Sequence, residues 1–497
     1  MHPMNGKVFT SFLALIVIVF IAVTTGGGCA NPIAPTGGPK DTLPPTLEDV
    51  SPEDSTLNFN EKKIVFSFDE FVQIDNVHDN LVVSPLPKTD PGPDAVSAKL
   101  KTITVKVKDT LEPNTTYSYN FGNSIKDINE GNVKKNFTYV FSTGKYLDSL
   151  ELSGNVIIAQ TGKTDSTLIV MLHRSGDDSA LMKQRPRFIA KLDSAGRFHF
   201  RNLPPGVFYL YALKDESGQK KYLSPSVQLF GFADKPLTIG LHNLPDTLYA
   251  YVEKDTSGAK PSTKTAPKTA ATTKSDKEKA KEKEKDKRLK FSLNLENGQQ
   301  DLLSNLEFTF TEPLKNFDSS KVRFTDEAFK LLTNYSFVKD TSNKKLILSY
   351  VYKRPGTTAK WPENTTFNLI VDKEFAEDTS GRKIARTDTL KFKTMKEADY
   401  GNLSIRFNNL DFSKKPVLQI FQSETIKYSI PLTTRDFQDK LFKPGEYEMR
   451  ILYDGNGNGI WDTGEFFGKH RQPERVIPIP KKLTVKANWD NDNTIEL

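Results

Sequence analysis

Residues 112–131 read EPNTTYSYNFGNSIKDINEG, and residues 361–381 read WPENTTFNLIVDKEFAEDTSG. Each opens on a Pro/Glu turn and Asn-Thr-Thr, passes into alternating aromatic and polar residues, and closes on an aspartate and a glycine: Asp127 and Gly131, then Asp378 and Gly381. The likeness continues outward. KKIVFSFDEFVQIDN (62–76) has its partner in SNLEFTFTEPLKNFD (304–318), and FTYVFSTG (137–144) in DTLKFKTM (388–395). Landmarks repeated in the same order point to a domain written twice. Within it, period-2 alternation of aromatic and β-branched residues, broken by Pro, Asn, Asp and Gly, is the pattern of half-buried strands. Strands this short and frequent indicate sandwiches.

A second repeat follows each copy of the first. FHFRNLPPGVFYLYALKD (198–215) and DKLFKPGEYEMRILYD (439–454) share an apolar residue, a Pro-Gly turn, an aromatic residue, an alternating strand and a closing aspartate. The expected organisation is a signal segment (1–28), a tether (29–41), a first pair of domains (42–146 and 147–254), a charged linker (255–288) and a second pair (289–397 and 398–497). A chain of 497 residues is too long for one core, because single cores stop growing near roughly 250–300 residues.

The skeleton of the first repeat, Pro-x-Asn-Thr-Thr-Tyr/Phe followed by Asp, Gly and a Phe-x-Phe-x-Thr strand, resembles the bacterial Ig-like domain of surface-layer proteins. That resemblance implies two packed antiparallel sheets and a spacer role. The second repeat, GRFHFRNLPPGVFYLYAL (196–213), resembles the transthyretin-like or carboxypeptidase-regulatory-like β-sandwich; its second copy keeps Phe442, Pro444, Gly445 and Tyr447. The expected fold is therefore all-β: tandem antiparallel sandwiches, Ig-like and transthyretin-like, in two repeated pairs joined by a disordered or partly helical charged linker. As a whole the chain resembles Ig-like-domain lipoproteins of Gram-negative bacteria.

The net charge of +7 arises almost entirely in one place. Residues 260–288 hold eleven basic and five acidic side chains, a surplus of +6. The basic character belongs to a low-complexity linker, so no nucleic-acid partner is expected. That linker has too few apolar residues to recover the entropy of ordering in a core.

At the N-terminus a lone Lys7 precedes the apolar run VFTSFLALIVIVFIAV (8–23), then TTGGGCA with Cys29, the single cysteine of the chain. The run is short for a transmembrane span and has the form of a secretion signal. It resembles a lipoprotein signal, which implies that Cys29 is acylated (a palmitate-type modification) and becomes the first residue of a membrane-tethered protein. Gly26 stands where that signal has a leucine-like residue, so the match is loose. The expected location is the outer membrane, facing either the periplasm or the cell surface.

Catalytic patterns are absent from the sequence. The six histidines, at 2, 78, 173, 199, 242 and 470, show no metal-protease spacing. Neither a nucleophile elbow nor a phosphate loop is present. Trp361 and Trp461 each sit beside turn residues and are the candidate platforms for stacking on a sugar.

One loop does carry chemistry. DGNGNGIWDTGE (454–465) matches the spacing of an EF-hand calcium loop, with Asp454, Asn456, Asn458, the Ile460 carbonyl, Asp462 and Glu465 at positions 1, 3, 5, 7, 9 and 12 and Gly459 at the bend. The flanks are strand-like on one side and broken by Gly and Pro on the other, so the expectation is a calcium-holding β-loop. Trp461 would pack over it. The equivalent stretch of the first copy, KDESGQKKY (214–222), keeps Asp215 and lacks the rest. Calcium is expected at one structural site.

The reading that follows is a non-enzymatic, lipid-anchored envelope protein whose sandwiches act as scaffold, spacer or adhesion surface, with the membrane and an envelope protein or glycan as partners. Two others stand beside it: a carbohydrate- or peptidoglycan-binding protein, and an enzyme with an unrecognised site.

Overall fold

The computed structural model describes residues 10, 14–19, 40–88, 93–107, 111–240, 246–254, 288–352 and 358–497. Cys29 and residues 30–39 of the expected tether lie outside them, as do most of the signal segment and residues 255–287 of the expected linker. The chain divides into two compact units, residues 1–148 and 149–497. Strands account for 47% of the described residues.

The first unit holds two facing sheets and a ribbon. One sheet runs Leu47–Ser51, Lys63–Phe68, Thr102–Lys106, Val96–Lys99; the other runs Thr138–Ser142, Thr116–Asn120, Val82–Ser84. The alternation of KIVFSF is used as written: Ile64, Phe66 and Phe68 are buried against Tyr117, Tyr139 and Phe141 of the other sheet. The ribbon runs Val72–Ile74, Ile125–Asp127, Val133–Lys134.

In the second unit the same plan recurs within residues 289–396. Its sheets run Phe291–Leu293, Leu306–Phe310, Lys345–Tyr350, Tyr335–Lys339, and Gln299–Gln300, Asp388–Thr394, Thr366–Val371, Val322–Asp326, with a ribbon of Leu314–Phe317 and Ala376–Asp378. Phe308, Phe324, Trp361, Phe367 and Phe392 fill the space between the sheets.

Two further sandwiches share one topology. In the first, Leu150–Ile158 lies between antiparallel Arg197–Leu203 and parallel Asp246–Ala250, facing a sheet of Phe188–Lys191, Ile169–His173, Gly206–Leu213 and Phe230–Phe232. In the second, Gly401–Asn408 lies between antiparallel Asp436–Phe442 and parallel Asp490–Glu496, facing Thr425–Pro431, Pro416–Gln422, Gly445–Tyr453 and Arg475–Val485. The Pro-Gly turns identified in the sequence deliver the long strands that begin at Gly206 and Gly445. Burial falls on alternate residues of those strands, as in Tyr447, Met449 and Ile451.

His173 ends a core strand of the earlier sandwich, 2% exposed and edge-on to Tyr211. Burial pushes its imidazole down to about 4, so it stays neutral where an unfolded histidine, with a pKa near 6.5, takes a proton. The unfolded state then binds more protons between those values, and stability falls as pH drops below about 6.5. We expect a loss of about 2 kcal/mol by pH 4.5 from this group. Denaturant titrations of wild type and His173→Phe should diverge over that window; parallel pH profiles would show that His173 carries none of it.

Candidate functional site

The loop 454–462 opens the connection between the two strands Gly445–Tyr453 and Arg475–Val485, whose register sets Tyr453 opposite Arg475. Asp454 is 1% exposed. Its carboxylate accepts backbone N–H groups from Gly457 (2.6 Å), Asn458 (3.2 Å) and Gly459 (2.6 Å). Gly459 takes a φ of 75°, the left-handed turn that glycine enters without steric cost. The amides of Asn456 and Asn458 donate to Asp462 Oδ2 at 2.5 and 2.7 Å, and Lys254 Nζ lies 3.1 Å from Asp462 Oδ1. Ile460, at the tip, donates its N–H to Asn458 Oδ1.

Glu465, expected at the twelfth position, is engaged elsewhere. The Glu465 carboxylate is engaged by Lys469 at 2.9 Å and Arg471 at 3.8 Å. The carboxylate that closes on the loop is Glu474: its Oε1 accepts the Gly455 N–H and its Oε2 the Asp462 N–H. Burial raises the Glu474 pKa, and the Asp454 and Asp462 carboxylates add to it against the lowering effect of those two bonds. Strand pairing sets this arrangement. The motif counts along the chain, whereas the hairpin brings residue 474 back across from 454. Asp454, Asp462 and Glu474 thus line the loop, and two ammonium groups lie against it: Lys254 at Asp462, and Lys415, which donates to the Gly455 carbonyl at 2.9 Å.

Trp461 packs on Val417, Leu452 and Val476, and its indole N–H donates to the Glu474 carbonyl at 2.8 Å. Trp361 is not a stacking platform. It is 1% exposed, parallel to Tyr350 at 5.2 Å, and donates to the Ser304 carbonyl. The turn residues beside it mark a chain that dips into the core. The equivalent Asp215 of the first copy closes a small turn by accepting the Lys220 N–H.

Beyond the loop, residues 463–472 leave their own sandwich and grip the other one. Phe466, 2% exposed, sits among Tyr211, Phe230 and Phe232 with centroids at 5.9, 5.0 and 5.1 Å. Phe467 stacks on Tyr222 at 5.5 Å. Polar bonds frame the ring cluster. Thr463 Oγ1 donates to the Val252 carbonyl, Gln472 Nε2 to the Phe232 carbonyl, the Gly468 N–H to Asp178 Oδ2, and His470 Nε2 lies 2.6 Å from Asp178 Oδ1. A Cβ on Gly464 would come within 2.6 Å of the Tyr251 ring and 2.8 Å of the Arg471 carbonyl, so only glycine lets the strap pass. Two more contacts extend the joint: Arg450 Nη1 donates to the Gln160 carbonyl, and the Arg475 guanidinium lies 4.2 Å from the Tyr249 ring centre. Burial and the Glu253 carboxylate push the Tyr222 hydroxyl up, and it donates a hydrogen bond to Glu253 Oε1 at 2.8 Å. The arrangement is mechanical: it holds two sandwiches together across the linker.

Fold and joint together define an all-β protein of tandem sandwiches. Residues 41–143 match the family described as bacterial Ig-like domain, so the chain carries a domain of that family. Similar solved structures include the Bacillus anthracis TIE protein, at 10% identity over 93% of this chain and 75% of that one, with a TM-score of 0.17. Native alpha-2-macroglobulin from Escherichia coli, spanning domains MG0-NIE-MG1, shares 12% identity over 40% and 73%, TM-score 0.20. BcpA, the major pilin subunit of Bacillus cereus, shares 8% over 70% and 99%, TM-score 0.16. These likenesses are too slight to bear on function. No curated protein matches the chain. Among the described residues no helix is long and apolar enough to cross a membrane.

Proposed function

We propose that the chain is a non-enzymatic scaffold of the bacterial cell envelope, held to the outer membrane by acyl groups on Cys29. The observation that carries this is the order of parts: an apolar run closing on the lone cysteine, followed directly by an Ig-like domain at 41–143. A spacer domain needs an anchor at one end, and a single thiol beyond a secretion signal supplies one. The mechanical character of the joint in the second unit supports a load-bearing role over a chemical one. Alkyne-tagged palmitate fed to cells should label the wild type and leave Cys29→Ala unlabelled; an unlabelled wild type overturns the anchor.

The same reading gives the loop 454–462 a structural calcium, with Asp454, Asn456, Asn458 and Asp462 as ligands and Glu474 in the place first expected for Glu465. Supporting it are the hard oxygen donors, which suit calcium, and the surplus of carboxylates over cations. Bound calcium would fix the root of the strap that begins at Thr463. All three tryptophans, at 361, 461 and 489, belong to the second unit. Terbium, a calcium surrogate, should therefore luminesce under tryptophan-selective excitation through Trp461. Calcium should quench the signal by competition, and Asp462→Asn should abolish it. A wild type with no calcium-sensitive signal overturns the site.

A further inference from the structure

The two Ig-like copies differ at a buried place where the ribbon turns. In the second, Asp378 is fully buried and its Oδ1 accepts the backbone N–H groups of Ser380 and Arg382. The Arg382 guanidinium then reaches back, with Nε 2.6 Å from Asp378 Oδ2 and Nη2 3.7 Å from Glu312. A cation therefore sits between two carboxylates where the ribbon turns.

The first copy keeps the carboxylates. Asp127 pairs with Val72 as Asp378 pairs with Leu314. The Ile128 N–H donates to the Phe71 carbonyl as the Thr379 N–H donates to that of Pro313. The Asp127 N–H donates to the Asn132 carbonyl as the Asp378 N–H donates to that of Arg382. These pairings make Glu70 the counterpart of Glu312, Asp127 of Asp378, and Asn132 of Arg382. The cation is gone, and the turn is one residue longer. That turn brings in a third carboxylate, Glu130, so that oxygens of Glu70, Asp127 and Glu130 lie within 4.8 Å of one another.

Asp127 is fully buried and fixed by N–H groups of Glu130, Gly131 and Asn132 at 2.6 to 2.9 Å. Those bonds outweigh burial and keep it ionised. Burial raises the Glu70 pKa, and Asp127, Asp69, Asp41 and Glu130 raise it further. The nearby ammonium groups are spent on the backbone: Lys101 donates to the Asp69 carbonyl and Lys134 to that of Pro45.

We propose that Glu70, Asp127 and Glu130 bind a hard divalent cation, calcium by its chemistry, which does in the first Ig-like domain what the Arg382 guanidinium does in the second. An all-carboxylate set suits calcium, and three ligands completed by water place it in the weak class, with Kd on the order of 10⁻⁴–10⁻³ M as in extracellular modules. The turn it would fix holds the entering chain, since Asn132 Nδ2 donates to the Asp41 carbonyl and Lys134 to Pro45. Calcium here would stiffen the point at which the chain enters its first domain.

Hydrogen exchange on the full mature chain, with calcium chloride or with chelator, tests this peptide by peptide. At ten times Kd, calcium should slow exchange through local opening over 124–134 by about tenfold. Glu130→Gln should lose that response. Asn132→Arg, which copies the second domain, should show slow exchange without calcium and no further change with it. A wild type unresponsive over 124–134, including one that responds over 454–474 alone, overturns the proposal. So does a response that survives in both variants.

Discussion

Phe466→Ala is expected to let the second unit come apart once the chain is cut between residues 260 and 287. With a protease site placed there, the wild-type fragments should migrate as one species in size exclusion, because the joint does not depend on the linker. The Phe466 ring is fully enclosed by Tyr211, Phe230, Phe232 and its own neighbour His470, which stacks on it at 4.8 Å. Truncating such a ring removes its transfer free energy and leaves a cavity, together about 3–5 kcal/mol. Each 1.4 kcal/mol is about a tenfold change in a binding constant, so the fragments should dissociate about two to three and a half decades more readily. Ile460→Ala, at the exposed tip of the loop, should leave them together. Wild-type fragments that separate on cutting, or Phe466→Ala fragments that stay joined at equal concentration, would show that the ring is not the anchor.

The strap also marks where sequence reading stops. Period-2 alternation in KIVFSF and in GEYEMRILY placed the buried faces correctly, because a strand's side chains obey a local rule. The duplicated landmarks were legible for the same reason, each being a turn or a strand with its own composition. FFGKH at 466–470 offers no period, and nothing local says that its rings cover residues more than 200 positions earlier. Glu474 was missed because its place beside Asp454 is a property of the hairpin register. Trp361 was misjudged because adjacent turn residues say where a chain bends and not which way its side chain points. The difference between the two Ig-like copies needed both kinds of information. Asn132 and Arg382 become equivalent only through the hydrogen bonds that frame each turn.

The second large effect concerns the other joint of the unit, between the second Ig-like domain and the sandwich that follows it. Tyr400 and Leu441 enter the core of that Ig-like domain, and the Tyr400 hydroxyl accepts the Leu302 N–H at 2.8 Å. Beside them Lys443 forms an ion pair with Asp301 and another with Glu296 at 2.7 Å. Asp301 is 3% exposed and also holds the N–H groups of Leu303 and Ser304. Burial works to lower the Lys443 pKa, but its bonds to Asp301 and Glu296 win and hold it above the usual lysine value. Lys443→Met keeps the volume of the side chain and strands a buried carboxylate, a change that costs about 3–5 kcal/mol. Adding Asp301→Asn should return at least half of that loss, because the amide oxygen still accepts both N–H groups while no charge is left buried. Denaturant unfolding followed by tryptophan fluorescence reads this unit alone, since no tryptophan lies in residues 1–148. A loss below about 1 kcal/mol in the single variant would class the pair with exposed ion pairs. No recovery in the double variant would mean that packing by the lysine stem, and not its charge, joins the two domains.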